Sequence, residues 1–180
     1  MRIVVSGTHG SGKSTLIADF AALHPGYEVL GDPFEDLVQD AFDELSAPLF
    51  SAQLEVAAQR LLEEEAPDLI AERGPLDFVA YLTALDLLGR RGRSDAALRA
   101  GTRRAEETAH RIDLLALLPL SAATPIPVGE HEDEELRLAM NDALLDLASD
   151  AGLAGAAVVE ISGSPAQRLA QLEEAIAALR

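Results

Sequence analysis

Gly7-Thr8-His9-Gly10-Ser11-Gly12-Lys13-Ser14-Thr15 is the stretch of this sequence that decides the fold. It contains the pattern Gly-x4-Gly-Lys-[Ser/Thr], in which glycines let successive backbone N–H groups turn inward around a phosphate chain. The β-branched run at residues 2–6 predicts a buried strand before it, and residues 15–23 predict a helix after it. A triphosphate site is therefore predicted here, to which the positive end of that helix and the Lys13 ammonium contribute. The Ser14 hydroxyl would hold Mg²⁺.

The composition indicates one globular domain over residues 1–180, of which 48% are hydrophobic. The absence of cysteine excludes disulfides, Cys-ligated zinc and thiol catalysis, and it suits a reducing compartment. A formal net charge of −17 repels phosphate backbones, so we expect no general nucleic-acid binding. No apolar run reaches the roughly 20 residues of a membrane span, and no signal-peptide pattern opens the sequence. We therefore expect a cytoplasmic protein without membrane association.

Predicted strands and helices alternate along the rest of the chain. Further strands are predicted at residues 27–30, 68–71, 112–118 and 156–161, and helices at residues 33–45, 48–66, 76–88, 94–110, 132–149 and 165–179. This order predicts an α/β fold with a five-stranded parallel sheet and helices on both faces. Residues 121–130 contain three helix breakers and no periodicity, which predicts a mobile lid at about residues 119–137.

Charged residues follow the predicted second and third strands, where parallel sheets bind ligands. Glu72 is placed to serve Mg²⁺ through water, and Arg73 to clamp a phosphate or the acceptor. The alternative is a surface ion pair between the two. Asp32 is placed to accept a proton from a substrate hydroxyl, or it caps the helix that starts at Pro33. Glu35 is a second candidate for the base.

Two polar residues on predicted helices belong to the same hypothesis. Gln53 lies among apolar residues, so its amide would read the edge of a base, or it is an exposed helical residue. Arg137 follows the predicted lid and would reach the transferring phosphate, or it pairs with Asp133 four residues earlier. Seven arginines between residues 90 and 111 are interpreted as a solvated helix face.

The layout resembles the P-loop kinases of nucleosides and nucleotides. It is most similar to small AAA-domain proteins related to nicotinamide riboside kinase, and more distantly to deoxynucleoside and thymidylate kinases. The resemblance is carried by the glycine motif, by Leu69-Ile70-Ala71-Glu72-Arg73-Gly74-Pro75-Leu76-Asp77, by residues 112–118 and by residues 158–161 with the closing helix. It implies a three-layer P-loop NTPase fold with ATP and Mg²⁺ as cofactors.

In such kinases the carboxylate at the position of Asp32 is catalytic, the acid at Glu72 serves Mg²⁺ and the Arg at Arg73 serves phosphate or acceptor. The helix at residues 50–60 resembles their substrate-base helix. Their lid is usually rich in Arg, whereas residues 121–135 contain none.

The sequence therefore favours a Mg-dependent kinase that transfers the γ-phosphoryl group of ATP to a small molecule, a nucleoside or a nucleotide. An ATPase, a non-enzymatic nucleotide-binding regulator and an antibiotic-modifying phosphotransferase are the alternatives. A GTPase is disfavoured because its Asn/Thr-Lys-x-Asp motif needs a second lysine, and Lys13 is the only one. The oligomeric state is left open, with a homodimer among the options.

Overall fold

A parallel β-sheet forms the centre of the computed structural model, which describes residues 1–37, 45–90, 94–121, 133–155 and 157–180. Its five strands within those ranges are β1 (Arg2–Ser6), β2 (Glu28–Leu30), β3 (Leu69–Glu72), β4 (Leu114–Leu117) and β5 (Ala157–Glu160). They lie in the order β2-β3-β1-β4-β5, and every neighbouring pair is parallel. The central position of β1 explains why its apolar residues are buried on both faces.

Helices cover the two faces of this sheet. They are α1 (Lys13–Leu23), α2 (Ala47–Glu63), α3 (Pro75–Leu87), α4 (Ser94–Ala109), α5 (Glu134–Leu147), α6 (Ala151–Ala154) and α7 (Pro165–Ala178). Because side chains alternate along a strand, Ile3 and Val5 pack with α1 and α7, whereas Val4 packs with α2, α3 and α5. None of the helices in the described ranges has the length and apolar composition needed to cross a bilayer. The expected three layers are present.

Helix α3 is the most deeply buried of the helices that position the site. It packs against α2, α4 and α5, and most of its residues are inaccessible to solvent. A helix enclosed in this way has to be apolar on nearly all sides. The polar side chains that α3 buries, Asp77 and Tyr81, therefore need hydrogen-bond partners.

The predicted helix at residues 33–45 is wrong in its described part. A single 3₁₀ turn, Pro33–Asp36, is followed by extended backbone at Leu37, and residues 38–44 lie outside the described residues. Arg60 of α2 binds both the Asp36 carboxylate and the Gly31 carbonyl oxygen. These tertiary bonds hold the turn against α2, so they outweigh a helical pattern that is only locally encoded.

Most of the predicted lid, residues 122–132, also lies outside the described residues. Its described end is Asp133, which caps α5 by accepting a hydrogen bond from the backbone N–H of Leu136. The short helix α6 was not predicted; Asp150 caps it through the backbone N–H of Gly152.

Candidate active site

The glycine-rich loop, residues 7–12, connects β1 to α1 at the carboxyl edge of the sheet. Gly10 and Gly12 have backbone φ angles of 64° and 92°, which residues other than glycine rarely adopt. A Cβ atom on Gly7 would lie 2.6 Å from Ser11 Oγ and 2.8 Å from the Leu118 carbonyl oxygen. The structure therefore has the strand–loop–helix arrangement that the motif requires, with backbone packing that only glycine permits.

Lys13 folds back across this loop and is almost fully buried. Its Nζ donates a hydrogen bond of 3.0 Å to the Thr8 carbonyl oxygen and lies 3.9 Å from Glu72 Oε1. Burial, assisted by the charge of Arg73, lowers the pKa of Lys13 to about 8. An anionic phosphate beside the ammonium would oppose that lowering, so the site favours an anion.

Two buried hydroxyls in the loop have no hydrogen-bond partner within the described residues. They are Thr8 Oγ1 and Ser11 Oγ, and Thr8 lines a cavity of about 780 Å³ that opens beside the loop. Buried hydroxyls without partners are rare because they lose their bonds to water. The Thr8 hydroxyl and the glycine backbone beside the cavity therefore fit the phosphate groups of a nucleotide.

Ser14 and Glu72 form the part of the cavity that fits Mg²⁺. The Ser14 hydroxyl donates a hydrogen bond of 2.9 Å to Glu72 Oε1, and the sheet register pairs Glu72 with Val5, two residues before the loop. Within the described ranges no group of three or more His, Cys, Asp or Glu residues could hold a metal. Ser14 and Glu72 could hold an ion that takes its remaining ligands from water and phosphate oxygens, as Mg²⁺ does.

Arg73 and Asp32 form an ion pair across the cavity. Arg73 Nε donates to Asp32 Oδ2 at 2.8 Å, while Asp32 Oδ1 accepts a hydrogen bond of 3.0 Å from the backbone N–H of Phe34. Asp32 thus caps the turn that starts at Pro33 and also lines the cavity, and its use as a proton acceptor stays a prediction. The alternative of a surface ion pair between Glu72 and Arg73 is wrong, because Arg73 is buried and pairs with Asp32.

Arg73 is held in a conformation that carries strain. Its φ of 65° is in the left-handed region, which costs a non-glycine residue on the order of 1 kcal/mol. The guanidinium lies 5.5 Å from the ring centroid of Tyr81 and donates to its hydroxyl at 3.4 Å. Burial by itself lowers the pKa of Arg73, but the interactions with Tyr81 and Asp32 raise it above the ordinary value.

Two aromatic rings and one amide also line the cavity. The rings of Phe50 and Tyr81 are stacked, with centroids 4.3 Å apart and planes 8° apart. Gln53, on α2, also lines the cavity, and its side chain is only 6% exposed. Within the described residues its amide makes no hydrogen bond. The alternative of an exposed helical Gln53 is therefore wrong.

Arg137, on α5, contacts the glycine-rich loop directly. Its Nε donates to the His9 carbonyl oxygen at 2.8 Å, and its second terminal nitrogen donates to that of Gly10 at 3.2 Å. The side chain of Asp133 binds Arg90 instead of Arg137. The alternative of a side-chain pair between Asp133 and Arg137 is therefore wrong, and Arg137 lies beside the predicted phosphate site.

Three residues that contact the loop have no role predicted from the sequence. Asp77 accepts hydrogen bonds from Ser6 and Gly7, Tyr81 accepts one from the His9 backbone, and Arg168 of α7 donates to the Ser11 carbonyl oxygen at 2.6 Å. An acid in the first turn of a helix as apolar as α3 was a usable signal for Asp77. Arg168, more than 150 residues from the loop in sequence, gave none.

Comparisons with known proteins agree with this geometry. A family model described as an AAA domain matches residues 2–168. Deoxyadenosine kinase from M. mycoides, with products dCMP and a flexible dCDP bound, superposes with a TM-score of 0.75 at 16% identity, covering 100% of both chains. Its structure with bound dATP gives 0.74 at 18% identity, over 98% of this chain and 100% of that one.

Thymidylate kinase from Candida albicans gives a TM-score of 0.73 at 16% identity, over 98% of this chain and 90% of that chain. No curated protein sequence matches the chain. At identities of 16 to 18%, these structural similarities show the fold alone, and the predicted three-layer P-loop fold is confirmed.

Replacing Lys13 by methionine tests the buried ammonium. The pKa of Lys13 is about 8 in the folded chain against an ordinary value of 10.5, so the unfolded chain binds more protons between these values. Wild-type stability therefore rises with pH across that window. Between about pH 7.5 and about pH 10 we expect it to rise relative to Lys13→Met by on the order of 2 kcal/mol.

Urea unfolding of both proteins at the two pH values measures this change, and titrations common to both cancel in the difference. A difference in unfolding free energy that stays constant with pH would mean that Lys13 has an ordinary pKa.

Proposed function

The chain belongs to the AAA-domain family, and from that premise we propose that it is a Mg-dependent kinase that transfers the γ-phosphoryl group of ATP to a hydroxyl group of a nucleoside-type acceptor. One observation carries the proposal. The glycine-rich loop and the Asp32–Arg73 pair open into the same cavity of about 780 Å³. A donor-lined phosphate site and a positioned carboxylate in one cavity are what transfer between two bound substrates requires.

On the nucleotide side, backbone N–H groups of the glycine-rich loop and the Lys13 ammonium bind the phosphates. Ser14 and Glu72 are the residues that would hold Mg²⁺, which supplies charge neutralisation at the phosphate oxygens. Lys13 is preorganised for this role because burial and its bond to the Thr8 carbonyl already restrict its side chain. Arg137, beside the loop, is proposed to add positive charge near the transferring group.

On the acceptor side, Asp32 acts as the general base. It takes the proton of the acceptor hydroxyl while the hydroxyl oxygen forms a bond to the γ-phosphorus of ATP. The bond between the γ-phosphorus and the oxygen that bridges it to the β-phosphorus breaks at the same time, and ADP is the leaving group. Arg73 Nε and the Phe34 backbone N–H hold one carboxylate oxygen each, so the orientation of Asp32 is fixed before the acceptor binds. The strained backbone of Arg73 is consistent with a residue kept for such a role.

The acceptor half of the cavity is the part lined by Asp32, Glu35, Phe50, Gln53 and Arg73. The charge of this half favours a hydroxyl over a phosphate as the accepting group. Asp32 and Glu35 both line it, and its cation Arg73 is already bound to Asp32. A nucleoside monophosphate would bring about two further negative charges into this field, whereas a nucleoside brings none. The stacked Phe50 and Tyr81 rings suit a flat base.

A turnover assay tests the proposed reaction. Wild-type protein with ATP and Mg²⁺ is given each common nucleoside and the matching 5′-monophosphate, and ADP formation is measured. We expect at least one nucleoside to be phosphorylated about tenfold faster than its monophosphate, because the acceptor half repels added negative charge. Preference for a monophosphate would contradict the hydroxyl assignment. ADP release that no acceptor stimulates would favour the ATPase alternative.

Asp32→Asn tests the general base. Asparagine keeps an oxygen for the Phe34 N–H but cannot take a proton, so we expect kcat to fall by about 10² to 10⁴ while ATP affinity changes less than about threefold. The matched control is Glu35→Gln. Glu35 is a carboxylate that lines the same cavity but is not oriented by Arg73, so this variant should retain most activity. A larger loss for Glu35→Gln than for Asp32→Asn would reassign the base to Glu35.

Gln53→Leu tests recognition of the base. If the Gln53 amide bonds the base edge, its loss should raise the KM for the nucleoside about tenfold and leave the KM for ATP unchanged. Gln59→Leu on the exposed side of α2 is the control, since Gln59 bonds only to Glu63 one turn away. Equal KM values in Gln53→Leu and wild type would remove Gln53 from the acceptor site.

A further inference from the structure

Asp77 is a fully buried carboxylate in the first turn of α3, and three donors surround it. Its Oδ2 accepts hydrogen bonds from Ser6 Oγ at 2.6 Å and from the Gly74 N–H at 2.9 Å. Its Oδ1 accepts the Gly7 N–H at 2.9 Å. A buried carboxylate is tolerated only when its lone pairs are occupied in this way.

Capping the helix accounts for only one of these bonds. The Gly74 N–H belongs to the N-terminus of α3, and a carboxylate in the first turn commonly serves it. Ser6 ends β1 and Gly7 begins the glycine-rich loop, and both are about 70 residues from Asp77 in sequence. Since a polar cap exposed to water would serve α3 equally well, the burial of Asp77 against the loop requires another explanation.

The bond to Gly7 determines where the loop directs its donors. Because the Gly7 N–H donates to Asp77, it is not available to a ligand in the cavity, which is lined by the loop from Thr8 onward. Gly7 also lies too close to the Leu118 carbonyl oxygen to accept a side chain. Asp77 on one side and Leu118, the residue after β4, on the other thus restrict the first residue of the loop.

One turn further along α3, Tyr81 contacts the same loop. Its hydroxyl accepts the His9 N–H at 3.3 Å, while its ring stacks on Phe50 in the acceptor half of the cavity. Helix α3 therefore contacts the loop at its start and near its middle. The bonds to Asp77 are the shorter ones and involve a charge, so they are the stronger of the two sets.

We propose that Asp77 is a positioning residue for nucleotide binding, which holds Ser6 and Gly7 so that the glycine-rich loop is preformed for phosphate. This inference rests on the proposed nucleotide site and adds a residue that does not touch the nucleotide. Without Asp77, the loop has to be ordered by the ligand, and that cost appears as lost affinity.

The test is Asp77→Asn, which preserves the shape of the side chain but replaces one of its two acceptor oxygens with an NH2 group, so that it cannot accept from all three donors. Binding of ADP with Mg²⁺ is measured by calorimetry at a temperature well below the unfolding of each variant. We expect the Kd to rise about tenfold or more. The matched control is Val79→Ala, a buried change on the same helix that faces α4 and does not touch the loop.

If Asp77 served only the stability of the fold, Asp77→Asn would lower the Tm, as Val79→Ala does, and both variants would bind ADP as tightly as wild type. A Kd for Asp77→Asn within twofold of wild type would therefore overturn the inference. If Asp77→Asn does not fold, Ser6→Ala decides, because it removes one donor to Asp77 and nothing else. A severalfold rise in its Kd supports the inference, and an unchanged Kd rejects it.

The outcome for wild type separates this inference from the proposed function. If wild-type protein binds no ADP, the proposed function fails and the inference fails with it. If wild type binds ADP and the Asp77 and Ser6 variants bind it equally well, only the inference fails.

Discussion

For the glycine-rich loop to bind phosphate as proposed, backbone N–H groups have to be free on its cavity side, and its carbonyl oxygens have to find other partners. Four consecutive carbonyls meet this need through cations. Lys13 binds that of Thr8, Arg137 binds those of His9 and Gly10, and Arg168 binds that of Ser11. These side chains come from α1, α5 and α7, so helices far apart in sequence contribute to one short loop. Buried backbone groups need partners, and here each partner also adds positive charge near the phosphate site.

The carboxylates of the site differ in their partners, and this gives them different proposed roles. Asp32 is bound by Arg73 and a backbone N–H and remains partly exposed, as a proton acceptor must be. Glu72 contacts Ser14 and Lys13, where a metal and phosphates would meet it. Asp77 is enclosed by three donors. A chain of net charge −17 can therefore bind an anion locally, because buried pairs respond to near neighbours more than to the distant surface field.

Agreement between sequence and structure was good where one segment supplies the whole signal. The glycine motif needs only a strand before it and a helix after it, and both are present. Agreement was poor where a distant residue decided the outcome. The turn after Pro33 ended early because Arg60 holds it, and Arg73 pairs with Asp32 instead of with its neighbour Glu72. Gln53 could be nominated but not located, since burial depends on which helices pack around α2.

By itself, the sequence determined the parallel α/β architecture and the position of the phosphate-binding loop, because hydrophobic periodicity and glycine backbone freedom act over a few residues. Only the tertiary structure decided which side chains hold that loop and which carboxylate faces which cation. Asp77, Tyr81, Arg137 and Arg168 reach it from helices that lie 70 to 157 residues away along the chain. Hydrogen bonds depend on the distance and angle between donor and acceptor, and for residues far apart in sequence both are set by how the sheet and helices pack.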